Sequence, residues 1–223
     1  MKKSTMARST TGCFIAIEGV DGAGKGVQSR LLRDALVHCG LDVVLTREPG
    51  GSPGAEEIRN LLVRGAVDKW DAMTELLLVY AARRTHLNQT ILPALEAGSW
   101  VISDRFADSS RAFQGCAGGL GLSLVEQIHT LVVGSFVPDL TLVLDLDPAL
   151  ALARTVSRGG QDDRFEQKGL AYQAQVWQAF RDLALRSPAT HVLIKADGSI
   201  AEVALAIRQA VARRLDLPAL VAL

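Results

Sequence analysis

Short apolar runs alternate with amphipathic stretches along most of this chain. The runs are Cys13–Glu18, Val43–Thr46, Trp100–Ser103, Leu140–Asp145 and His191–Ile194, and each reads as a buried strand. Between them, apolar positions recur with helical spacing over Gln28–His38, Gly54–Val63, Asp71–Ala97, Ser123–Val133, Pro148–Arg158, Lys168–Leu185 and Ile200–Leu215. Pro93 is expected to kink or shorten the longest of these, and Gly98 to stop it. Gly115–Gly121 and Gly159–Asp163 read as connections free to move. Strand–helix alternation predicts parallel strands, right-handed crossovers and helices on both faces, a three-layer α/β/α fold. Ligands of such sheets collect at the carboxyl ends of the strands. Those ends carry Glu18-Gly19, Arg47-Glu48, Asp104-Arg105 and Asp145-Leu146-Asp147, so polar chemistry from distant segments shares one edge.

The first run leads into Gly19-Val20-Asp21-Gly22-Ala23-Gly24-Lys25, a match to G-x-x-x-x-G-K between a strand and a helix. Glycines let backbone N–H groups curl round a polyphosphate, the helix start adds a positive dipole end, and Lys25 adds a point charge. Ser or Thr normally follows the lysine and reaches Mg²⁺; here Gly26 and Val27 supply no hydroxyl. The dinucleotide-binding spacing G-x-G-x-x-G is absent.

Composition narrows the rest. The chain has 223 residues, 48% hydrophobic and 22% charged, which suits one globular domain with a substantial core. Its 24 basic and 24 acidic side chains cancel, so bulk charge offers no attraction to nucleic acid or to a membrane surface. No run approaches the ~18 apolar residues of a membrane span. Cys13, Cys39 and Cys116 lack metal-ligand spacing and read as reduced thiols of a cytoplasmic protein. Residues 1–11 read as a loose tail, and 12–223 as a single domain with a mobile lid over about 154–167.

Three further segments carry candidate chemistry. Thr46-Arg47-Glu48-Pro49-Gly50-Gly51 suits a rigid turn presenting a guanidinium to phosphate, or else a turn with a solvated charge. Asp104 and Arg105 end an apolar strand; the acid can hold Mg²⁺ and the base can span two phosphates, or the two can form a structural pair. Arg154, Arg158 and Arg164 lie in or beside a polar stretch that either closes over a transferring phosphoryl group or is an exposed loop of mixed charge. The histidines show no spacing suited to a metal or a triad.

The Gly-Ala-Gly-Lys-Gly string resembles adenylate kinase, one of the nucleoside monophosphate kinases, where the metal need not bind a loop hydroxyl. From Cys13 to about Leu215 the chain resembles the bacterial thymidylate kinase family. The resemblance rests on Glu18–Lys25, Thr46–Gly51, Tyr80-Ala81-Ala82-Arg83, Asp104-Arg105 with Ser109 and Ala112–Gly115, Pro138–Thr141 and Asp163–Glu166. It implies a five-stranded parallel sheet, a homodimer, and ATP-dependent phosphorylation of dTMP to dTDP on the route to dTTP.

The same resemblance implies individual roles. Asp21 takes the acceptor's 3′-hydroxyl, and Arg47 and Arg105 hold its phosphate. Arg83 reads a thymine carbonyl, while Ser109, Ser110 and Gln114 lie along the base. Phe113 presses on the sugar, and Arg158 and Arg164 close over the transfer. Val79 stands where the family usually has a phenylalanine stacked on thymine. Two other readings suit these departures: a kinase for another monophosphate, or a nucleotide-binding homologue with impaired turnover.

Overall fold

The apolar runs form strands because alternate side chains enter cores on opposite faces of one sheet. In β1 (Phe14–Glu18), Ile15 and Ile17 join one buried cluster, while Phe14 and Ala16 join another. The computed structural model describes residues 12–157 and 164–221. With β2 (Val43–Arg47), β3 (Trp100–Asp104), β4 (Leu140–Asp145) and β5 (His191–Lys195), β1 builds a five-stranded sheet of order β2-β3-β1-β4-β5. Every pairing is parallel. The register places Asp104 opposite both Ile17 and Arg47, which draws the ends of β1, β2 and β3 together.

The helices are α1 (Lys25–His38), α2 (Pro53–Val63), α3 (Ala72–His86), α4 (Leu92–Glu96), α5 (Ala107–Ser110), α6 (Leu122–Val132), α7 (Pro148–Ser157), α8 (Leu170–Arg186) and α9 (Ile200–Arg214). Asp71 caps α3 by accepting from the Thr74 N–H at 2.8 Å. A π-helical turn over Leu87–Ile91 joins α3 to α4, so Pro93 follows a widened turn instead of kinking a regular helix. Gly98 ends this assembly with φ 84, as expected.

One expectation needs correction. Gly115–Gly121 is not simply a free connection: Arg111–Ala117 continues α5 as a π-helical segment, with Phe113, Gln114 and Gly115 buried. A Cβ at Gly115 would lie 3.1 Å from Val125 Cγ2, so glycine lets α6 pack close. The segment lacks an apolar period of its own, and its neighbours supply the reason to fold. Residues 1–11, the connection Gly159–Asp163 and Arg158 lie outside the described residues.

Candidate active site

The chain leaves β1 through the glycine loop and enters α1 at Lys25, which opens the helix start onto a cleft of about 410 Å³. Gly22 has φ +85, and a Cβ there would run into the Ala151 carbonyl, so both conformation and space demand glycine. Val20 and Ala23 turn their side chains into the core, leaving only their backbone for a ligand. Lys25 is buried and donates from Nζ to the carbonyls of Gly19 at 3.1 Å and Val20 at 2.9 Å. Burial, and then the neighbouring Arg105, push its pKa down to about 8. Asp104 lies beside the same helix turn; its Oδ2 would be 3.4 Å from a Cβ on Gly26.

Arg105 sits between the two halves of the cleft. Its φ is +76, a left-handed conformation uncommon for a residue with a side chain. The surroundings hold it there. Nη1 donates to the Gly19 carbonyl at 2.9 Å and to Ser109 Oγ at 3.0 Å, and Nη2 pairs with Asp21. The guanidinium also lies 5.0 Å from the Phe113 ring centroid. Burial would raise the Asp21 carboxyl, but Arg105 and Lys25 outweigh it and hold the group below its ordinary range. Beneath them, buried Glu18 accepts from the Phe106 and Ser109 N–H groups and from the Ser109 hydroxyl. Burial and nearby Asp108 raise the Glu18 carboxyl to about 7, against the opposing pull of Arg105.

The other half of the cleft is lined by Arg47, Val79, Arg83, Ser109, Ser110, Phe113 and Gln114. Arg47 is exposed and held by Glu56, 3.0 Å from Nη2. Arg83 is buried: Nε donates to Glu48 Oε2 at 2.6 Å, Nη1 to Ser110 Oγ at 3.0 Å and Nη2 to the Phe106 carbonyl at 2.9 Å. Tyr80 and Phe106 flank its guanidinium at 4.6 and 5.2 Å. Val79 precedes Arg83 by one helical turn and lies on the same face of α3.

Arg30 and Arg59 also line the cleft and were not singled out from the sequence; Phe165, within Asp163–Glu166, lines it too. Arg59 follows Glu56 by three residues on α2, so its face was readable once Glu56 was known to hold Arg47. The Glu48–Pro49 peptide is cis in the turn between them.

Arg164 does not reach the cleft, contrary to expectation. It is fully buried, and its guanidinium donates to the carbonyls of Leu62, Ala66 and Val67 and to Glu75 Oε1. Those acceptors hold the fork away from the cleft, whose lining includes Arg83 and Arg105 but not Arg164. Lys168 joins Glu75 at 3.0 Å, so the segment after the expected lid is tied to α3. Arg154 donates to the Ala196 carbonyl at 3.3 Å, away from the cleft. Trp177 also stays out of it, donating to Asp145 Oδ1 at 2.8 Å. Among the described residues, no group of His, Cys, Asp and Glu is arranged to hold a metal by itself.

A sequence model of the family described as Thymidylate kinase matches residues 17–207. The chain belongs to the thymidylate kinase family. It is 49% identical over 208 residues to the thymidylate kinase of Caulobacter vibrioides, covering 93% of this chain and 100% of that protein. Identity to the thymidylate kinase of Dinoroseobacter shibae is 51% over 193 residues, covering 86% of this chain and 93% of the relative. The crystal structure of thymidylate kinase from Ehrlichia chaffeensis superposes with a TM-score of 0.74 at 32% identity, covering 90% and 99% of the two chains. The thymidylate kinase family accounts for the α/β fold, the parallel sheet and the glycine loop together.

Proposed function

We propose that the chain transfers the γ-phosphoryl group of ATP to the phosphate of dTMP, giving ADP and dTDP. The observation that carries this reading is one cleft with two ends. The glycine loop and Lys25 line one end, Arg47 and Arg83 the other, and Arg105 lies between them. Loop amides and Lys25 bind the donor phosphates. Arg47 and Arg105 bind the acceptor phosphate, and Arg83, Ser109, Ser110 and Gln114 face the base, with Phe113 against the sugar. Asp21 orients Arg105 and accepts the sugar's 3′-hydroxyl. The acceptor phosphate is already ionised, so no side chain must remove a proton, and positioning with charge neutralisation sets the rate.

The donor set suits Mg²⁺, a hard cation that takes one or two carboxylates and completes its shell with phosphates and water. Asp104 supplies that carboxylate beside Gly26. When bound, the ion neutralises charge on the phosphate oxygens. We assign the lid's transition-state charge to Arg158, and assign Arg164 to anchoring the lid's root. The outer faces of α3 and α6 expose Leu77 and Leu131, at 51% and 83% of their full area. A second copy of the chain covers that face in our reading, giving a homodimer. Among the described residues the cysteines are free and no helix is long and apolar enough to cross a membrane; we place the protein in the cytoplasm.

The relatives named here support neither another acceptor nor lost turnover. A coupled assay of ADP release with ATP and each nucleoside monophosphate tests the reading. Turnover is expected with dTMP at the highest kcat/KM. Preference for another monophosphate, or tight ATP binding without turnover on any of them, would overturn it.

A further inference from the structure

Under the acceptor half of the cleft, three polar side chains that the reaction above leaves unused, Thr46, His86 and Glu48, form a file that ends on Arg83. Thr46 Oγ1 lies 2.7 Å from His86 Nε2, and His86 Nδ1 lies 3.0 Å from Glu48 Oε1. The other oxygen of Glu48 accepts from Arg83 Nε at 2.6 Å, and Arg83 continues to Ser110. His86, Glu48 and Arg83 are all buried. Against a carboxylate, Nδ1 is the donor, and Nε2 is left to bond the Thr46 hydroxyl. One imidazole thus fixes a carboxylate and a hydroxyl at once.

Thr46 and Glu48 are the two chain neighbours of Arg47. The ring therefore grips the strand end that presents the exposed arginine, from both sides of that residue. Through Glu48 it also sets the buried arginine that faces the base. The turn is moulded to the ring as well: a Cβ on Gly51 would collide with His86 and with the Thr46 hydroxyl. Truncating the ring would leave one oxygen of a buried carboxylate without its donor, and Glu48 would be free to pivot on Arg83.

We infer that His86 is a positioning residue for the acceptor nucleotide, holding Glu48 and Thr46 so that Arg83 and Arg47 meet base and phosphate in register. The inference rests on the assignment of this half of the cleft to dTMP. It concerns binding of one substrate, so it predicts a split between parameters that a general weakening of the fold would not produce.

The test measures kcat and both KM values for wild type, His86→Ala, His86→Asn and His86→Gln, with dTMP and dCMP as acceptors. His86→Ala is expected to raise the dTMP KM roughly tenfold or more. Its ATP KM and kcat should stay within about twofold, and its preference for dTMP over dCMP should fall, since the two bases differ at a ring carbonyl. His86→Asn, whose amide nitrogen can stand where Nδ1 does, should restore most of the dTMP KM, and His86→Gln should not. Should His86→Ala fail to fold, the Asn-against-Gln comparison decides. An unmoved dTMP KM in folded variants, equal shifts in both substrates' KM, or no advantage of Asn over Gln would overturn the inference alone. A wild-type enzyme inactive on dTMP would instead overturn the acceptor assignment, and the inference with it.

Discussion

Replacing Val79 by phenylalanine isolates the energetic worth of one missing ring. Val79 lines the cleft from α3, one turn before Arg83, and has no aromatic group to offer a base. Stacking of a base on an aromatic side chain contributes about 1–3 kcal/mol. Val79 is itself apolar, so a base that packs on it would give up that contact when the ring replaces it, and the lower part of that range applies. A net gain of about 1–2 kcal/mol corresponds to a roughly 5- to 30-fold lower acceptor KM. Val79 is buried but lines the cleft of about 410 Å³, so a ring directed to the cleft side has room, and one forced against the core would lose part of the gain to overpacking. Steady-state kinetics with varied dTMP at saturating ATP, backed by calorimetric titration of dTMP, measures the effect. An unchanged dTMP KM would show that position 79 does not face the base. An equal fall in the ATP KM would show that the gain came from elsewhere.

Other substitutions probe the remaining parts. Arg105→Met should lower kcat at least a hundredfold while circular dichroism stays native, because the guanidinium bridges the two halves of the cleft; a near-wild-type rate would reject that role. The depressed Lys25 pKa predicts that kcat/KM for ATP falls as pH rises through about 8, since the free enzyme then loses the ammonium. Stability should move the other way: between about 8 and the ordinary 10.5 the unfolded chain holds the extra proton, so this group makes the fold more stable as pH rises. A kcat/KM profile flat to about pH 9.5 would contradict the assignment. Gly26→Ser places a hydroxyl beside Asp104 and should lower the Mg²⁺ concentration needed for half-maximal rate severalfold; a nucleotide complex of the natural sequence with a direct bond from the glycine loop to the metal would refute the view that Asp104, phosphates and water suffice. Leu131→Asp, at a residue 83% exposed, should convert a dimer to monomers in sedimentation at micromolar concentration, and an unchanged mass would move the interface elsewhere.

The chain's own pattern determined the strands, the parallel α/β architecture and the phosphate loop, because each depends on residues adjacent in sequence. A continuous apolar run, buried on both faces, leaves little choice but a covered parallel strand, and Gly22 with Lys25 at the end of such a strand leaves little choice but an anion site. Arg47, Asp104 and Arg105 were legible for a related reason: carboxyl ends of parallel strands converge whatever lies between them. What lay beyond reach was decided by partners far away along the chain. Arg164 looks like a lid arginine until Leu62, Ala66, Val67 and Glu75 are seen to take every arm of it. His86 looks like one more packing histidine until β2 brings Thr46 and Glu48 to its two nitrogens. Arg111–Ala117 packs against α6 and α8, elements that come later in the chain. A guanidinium or an imidazole can serve a ligand or the protein equally well, and only the three-dimensional arrangement of competing acceptors chooses between them.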